Sequence, residues 1–100
     1  HTEMKKYELM TIYPIEDEKF KDGTEKVKAV LAQFGATIEK EESYGERDLA
    51  YEINKIKRGK FVLFTVKANP AKIVEINTQF HLNGNLLKSL FVKIDDKEAK

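Results

Sequence analysis

The chain contains no cysteine, and that one absence removes disulfides, thiolate metal sites and cysteine nucleophiles together. It fits a cytosolic protein, and a cytoplasmic location is the expectation. Histidine is almost missing too, with only His1 and His81. His81 falls near the end of a predicted helix, where a histidine interacts with carbonyls more often than it transfers protons. No apolar run approaches the roughly 20 residues of a membrane span. No basic-then-apolar leader precedes Met4, which reads as the natural start, with residues 1–3 a remnant. A charge excess is also lacking. Against 18 Lys and Arg stand 17 Asp and Glu, a formal net charge of +1, so attraction to nucleic acid must come from local clustering. Linkers, repeats and low-complexity segments are absent. One hundred residues, 41% hydrophobic and 35% charged, fit one globular domain with a highly charged surface. The domain is expected over residues 4–95, with 96–100 a charged, frayed tail.

What remains is a clear alternation of strand and helix patterns. Residues 7–13 (YELMTIY) are apolar and aromatic and stop at Pro14, which cannot donate to a ladder. Acidic residues 16–18 open a helical pattern of Phe20, Val27, Val30, Leu31 and Phe34, and Gly35 stops it. Gly23 lies inside that pattern, so the helix either begins irregularly or begins at Thr24. Residues 36–53 read as one long strand with a bend or bulge near Gly45. Residues 55–59 (KIKRG) read as a short connection to the clearest strand, 60–68 (KFVLFTVKA), in an antiparallel hairpin. Asn69-Pro70 caps a second helix with Ile73, Ile76 and Phe80 inward, Asn83-Gly84 ends it, and 86–94 forms the last strand. The order β-α-β-β-α-β, with right-handed crossovers, puts both helices on one face of a four-stranded antiparallel sheet. This is the α+β, ferredoxin-like split β-α-β sandwich. The third strand is apolar on both sides. Phe61 and Leu63 mark the side the helices leave open, a candidate protein-partner surface.

The sequence offers no constellation for catalysis. No serine or threonine has a base partner. Strand alternation puts Glu39 and Glu41 on one face near Glu42, but Lys40 beside them marks a solvated edge rather than a metal or acid–base cluster. The loop Pro14-Ile15-Glu16-Asp17 is acidic and would repel a phosphate. The expectation is a protein without enzymatic activity, cofactor, metal or small-molecule substrate. Lys55, Lys57, Arg58 and Lys60 put four cations within six residues, a pattern suited to phosphate contacts and equally to a soluble turn. Residues 58–64 (RGKFVLF) are similar to the RNP1 element of RNA recognition motifs, with one residue missing and Lys60 where the first stacking aromatic belongs. Two further classes therefore stay open, a single-stranded RNA binder of that type and a small-molecule-sensing regulatory domain of the same topology.

Ordered segments carry a resemblance across nearly the whole domain. They are Met4-Lys5-Lys6-Tyr7-Glu8, Phe34-Gly35-Ala36 with Ile38-Glu39-Lys40, and Gly45, Arg47, Leu49-Ala50-Tyr51 and Ile53 with Lys55. Gly59 with Phe61, Asn85 with Leu86, and Val92-Lys93 complete the set. In these the chain resembles the bacterial ribosomal small-subunit protein six family. The resemblance implies a structural constituent of the small ribosomal subunit, on the fold derived above. It further implies binding to the central domain of small-subunit ribosomal RNA together with small-subunit ribosomal protein eighteen, with Lys5, Lys6, Arg47 and Lys93 as RNA contacts. Two positions depart from the family pattern: Asp48 stands where a second basic residue often follows, and Glu52 where proline is common.

Overall fold

The chain folds as β1 (Lys5–Tyr13), α1 (Asp17–Gln33), β2 (Thr37–Ile53), β3 (Ile56–Ala68), a 3-10 turn (Pro70–Lys72), α2 (Ile73–His81) and β4 (Lys88–Lys93). The structure is a computed structural model that describes residues 4–53 and 55–94. Residues 1–3, expected to be a remnant, and the tail expected at 96–100 lie outside the described residues. The strands form one sheet in the order β2-β3-β1-β4, every neighbouring pair antiparallel. This is the anticipated ferredoxin-like arrangement.

Its core follows from strand alternation. Tyr7, Leu9, Thr11 and Tyr13 of β1 and Val62, Phe64, Val66 and Ala68 of β3 are buried, and Leu9 lies directly opposite Phe64. Val27 and Leu31 of α1 and Ile76 and Phe80 of α2 close over them. Alternate residues point to opposite faces of a sheet. The intervening Met10, Ile12, Phe61 and Leu63 are thereby left on the face without helices.

Helix α1 starts at Asp17 and runs through Gly23, which settles the boundary the sequence left open. Its acidic first turn complements the helix dipole. Its end is a Schellman motif: the Ala36 N–H donates to Leu31 O (2.8 Å) and the Gly35 N–H to Ala32 O (3.1 Å), with Gly35 at φ 76°. Gly23 is required by space. The turn between α2 and β4 rests on it, Asn83 Nδ2 donating to Gly23 O (3.2 Å) and Asn85 Nδ2 to Asp22 Oδ2 (2.7 Å). A Cβ at Gly23 would lie 2.2 Å from the Asn85 carbonyl oxygen. The Asn69 cap is present, its Oδ1 accepting from the Ala71 N–H (2.9 Å), but it opens the 3-10 turn, and α2 itself begins only at Ile73 without a side-chain cap.

Several boundaries differ from the sequence reading, and β1 begins at Lys5 instead of residue 7. The 55–59 connection is mostly strand, because Ile53 already pairs with Ile56, and Lys57, Arg58 and Gly59 belong to β3. The last strand begins at Lys88 instead of residue 86, since Leu86 is held by the Asn83 carbonyl (3.2 Å) in the preceding turn.

Gly23→Ala forces a backbone carbonyl to move. It should lower the urea-unfolding free energy by about 2 kcal/mol. A Cβ at Gly84 meets nothing within 4 Å, so Gly84→Ala should stay within about 0.5 kcal/mol of wild type.

Candidate nucleic-acid interface

Across the open face the residues stand in rows set by register. Leu63, Met10 and Leu90 form one row; Phe61, Ile12 and Lys88 form the next; Thr65, Glu8 and Val92 form a third. Leu90 is 54% exposed and Val92 48%. Phe61 and Leu63, expected on this face, are there and half-buried. Met10, Leu90 and Val92 complete the apolar surface, with Ile12 on the same face but buried (7% exposed). Alternation in β1 and β4 carried the signal for all four.

Three irregularities in β2 give the edge of this face its chemistry. The first lies between Ile38 and Lys40. It turns Glu39 to Lys6 and Lys67, 3.4 Å from each ammonium, two like charges that stand directly opposite on β1 and β3. Glu41 lies instead opposite Phe64, within 3.0 Å of Lys28. The expectation that Glu39 and Glu41 share a face therefore fails, because the bulge shifts the alternation by one residue. The second irregularity lies between Ser43 and Gly45 and leaves Tyr44 without an opposite residue. The Arg47 guanidinium sits over its ring at 5.7 Å, a cation–π contact. The third lies between Asp48 and Ile53. Leu49 from this stretch packs above Gly59, where Ile12 also approaches.

The cations predicted to contact RNA do not form one cluster. Lys5, Lys6 and Lys93 lie where β1 begins and β4 ends; Arg47, Lys55, Lys57 and Arg58 lie at the other end of the sheet. At about 3.3 Å per residue β3 alone spans roughly 40 Å, close to the 43 Å long axis of the molecule. Ion pairing separates them further. Lys6 is held by Glu39, and Arg58 by Glu46 (3.7 Å) and Asp48 (3.2 Å). Lys60 turns away from the others onto the helix side. Its side chain is only 18% exposed, 2.8 Å from Asp17 Oδ1 and 4.7 Å above the Phe20 ring. Arg47, Lys55, Lys57 and Lys93 make no ion pair with the described residues.

One grouping was not visible in the sequence. Lys55, Lys57 and Arg58 share an open groove of about 530 Å³ with Lys19 of α1, beside Ile15, Ile56 and Leu87. Lys19 is also 3.6 Å from Glu16, on the same wall. Only the packing of the loop after β1 against the start of β3 brings Lys19 there.

Among the described residues there is no group of His, Asp and Glu able to hold a metal, and no helix long and apolar enough to cross a membrane. Fold and surfaces define a two-layer ferredoxin-like domain with one uncovered apolar sheet face and basic positions at both ends. The family described as Ribosomal protein S6 matches residues 6–93. The small ribosomal subunit protein bS6 of Treponema denticola is 45% identical over 93 residues, covering 93% of this chain and all of that protein. The protein of the same name from Halalkalibacterium halodurans is 41% identical over 95 residues, covering 93% of this chain and 100% of that one. The chain belongs to the ribosomal protein S6 family, a family of small-subunit ribosomal constituents and not of enzymes. A crystal structure of 30S ribosomal protein S6 from Thermotoga maritima shares the fold at a TM-score of 0.84 and 22% identity, over 97% of this chain and 94% of that one.

The hydrogen bond from Lys60, reinforced by its charge, holds the Asp17 carboxyl below its ordinary value of 3.8. Hydrogen bonds from Asn85 and Lys26 do the same for Asp22. Depressed carboxylates stabilise the fold when ionised, so their contribution is complete above about pH 5 and fades as the pH falls through the folded values. Melting temperature should therefore drop on acidification. Asp17→Asn and Asp22→Asn should melt lower than wild type near neutrality and converge with it in acid. Thermal scans across the carboxylate range read this directly.

Proposed function

We propose that this chain is a structural constituent of the cytoplasmic small ribosomal subunit that binds the central domain of its RNA by phosphate contacts. In this reading the open sheet face docks small-subunit ribosomal protein eighteen, the partner implied by the family resemblance. The observation that carries it is the division of the surface. An apolar face of Met10, Phe61, Leu63, Leu90 and Val92 has at its ends Arg47, Lys55, Lys57 and Lys93, which make no ion pair with the described residues. Arg47, Lys55 and Lys57 at one end and Lys93 at the other are the principal RNA contacts, Lys93 standing beside Lys5 and Lys6. Lys6 and Arg58 must exchange carboxylate partners for phosphate, which lowers their net gain. The small formal charge suits a protein that binds RNA as half of a heterodimer. Stacking in the manner of an RNA recognition motif is disfavoured, because Phe61 stands opposite Ile12 in β1 and Gly45 in β2, with no aromatic on the neighbouring strand of its row, and Lys60 turns to the helix side.

Gel-shift titration with central-domain RNA tests this, and no binding with the partner protein present sinks it. Replacing Lys55 and Lys57 with alanine should weaken binding and reduce the slope of log K against log salt by about 0.7–0.9 for each contact removed. Arg58→Ala should change that slope less. On the other surface, Leu63→Asp should weaken capture of the partner protein by about 30-fold, the scale of a buried hot spot, without altering the salt slope for RNA. Isothermal titration against the purified partner reads that loss.

A further inference from the structure

Tyr51 is the most exposed large apolar side chain among the described residues, at 86%. The reason lies in the register. Asp48 is paired with Arg58 and Ile53 with Ile56, so four residues of β2, Leu49 to Glu52, stand opposite the single residue Lys57. Such an excess must leave the ladder, and bulges of this kind re-aim side chains. Here the excursion is fixed at both ends. Leu49 packs over Gly59 beside Ile12, and Ile53 resumes pairing one turn from the hairpin tip. Between these anchors Tyr51 is pushed into solvent at the end of the sheet that carries Lys55 and Lys57. Neither lysine has an ion-pair partner among the described residues.

An exposed aromatic ring at the end of the sheet that carries Lys55 and Lys57 supplies the two elements of unpaired-nucleotide recognition, a flat apolar surface for a base and a charge for the adjoining phosphate. Exposed apolar side chains that occur singly need no explanation. This one is presented by a four-against-one bulge held by Leu49 at one end and by the Ile53–Ile56 pair at the other, and it stands in a basic setting. We infer that Tyr51 is a stacking platform for an unpaired base of the bound RNA, with Lys57 and Lys55 contacting the flanking phosphates. The inference rests on the RNA-binding reading above and adds to it a contact that does not depend on charge.

Charge and stacking leave different signatures, which makes the test decisive. In the presence of the partner protein, Tyr51→Ala should weaken binding to central-domain RNA by about five- to a hundredfold with the salt slope unchanged. Tyr51→Phe should bind within about twofold of wild type, because the ring is retained. Melting temperatures should stay within about 2 °C, since so exposed a side chain contributes little packing. The chain has no tryptophan, so Tyr51→Trp creates a unique fluorophore that stacking on a base should quench when RNA is added. Wild-type protein that fails to bind overturns the RNA reading and the platform together. Wild-type binding with an unaffected Tyr51→Ala variant, or an unquenched Tyr51→Trp, overturns the platform alone. Loss of partner-protein capture with RNA affinity intact assigns Tyr51 to the protein interface and also overturns it.

Discussion

The register of β1 against β3 is the constraint on which the rest of the molecule depends. These two central strands pair from Lys5–Ala68 to Tyr13–Lys60 without a break. Their pairing puts Leu9 opposite Phe64 beneath the helices and Met10 opposite Leu63 on the open side. A slip of one residue would exchange the two sets and expose the core. Since both strands are apolar on both sides while the helices cover only one, the uncovered surface is built into the same register that makes the core. Burying Phe64, Val66 and Leu9 leaves Phe61, Leu63 and Met10 outside.

The edge strand β2 works by departing from regular pairing. A long edge strand is an aggregation hazard that bulges and charges reduce. In this strand each irregularity also re-aims a side chain. Glu39 is brought between Lys6 and Lys67, Tyr44 supports Arg47, and Tyr51 is turned outward from the unpaired stretch 49–52. The central strands supply the rigid reference that makes those departures reproducible.

Electrostatics sorts the basic residues more sharply than composition does. Lys60 belongs to the scaffold, linking β3 to the first turn of α1 through Asp17 and Phe20. Arg58 lies between two acidic neighbours across the β2–β3 ladder, one of them Asp48, a position where the resemblance anticipates a basic residue. Lys55 and Lys57, only a few residues away in the same run, keep their charge available and meet Lys19 at a groove.

Element order, the Asn69 cap, the Gly35 stop, the bulge at Gly45 and the open-face placement of Phe61 and Leu63 were legible in the sequence. Each is a local consequence of periodicity or of one residue's backbone preference. The ordered residues behind the family resemblance were equally readable. Not legible were the strand status of Lys57 and Arg58, the opposite facing of Glu39 and Glu41, the separation of the basic residues to two ends, and the reach of Lys19. These depend on register, and register is fixed by long-range pairing that alternation alone does not count. The sequence by itself determined a β-α-β-β-α-β domain with a two-sided third strand. Only the tertiary structure decided which cations are engaged, where the strand bulges fall, and that Tyr51 stands outside the fold. Ion pairs and bulges are properties of two strands set against each other, and neither strand encodes them alone.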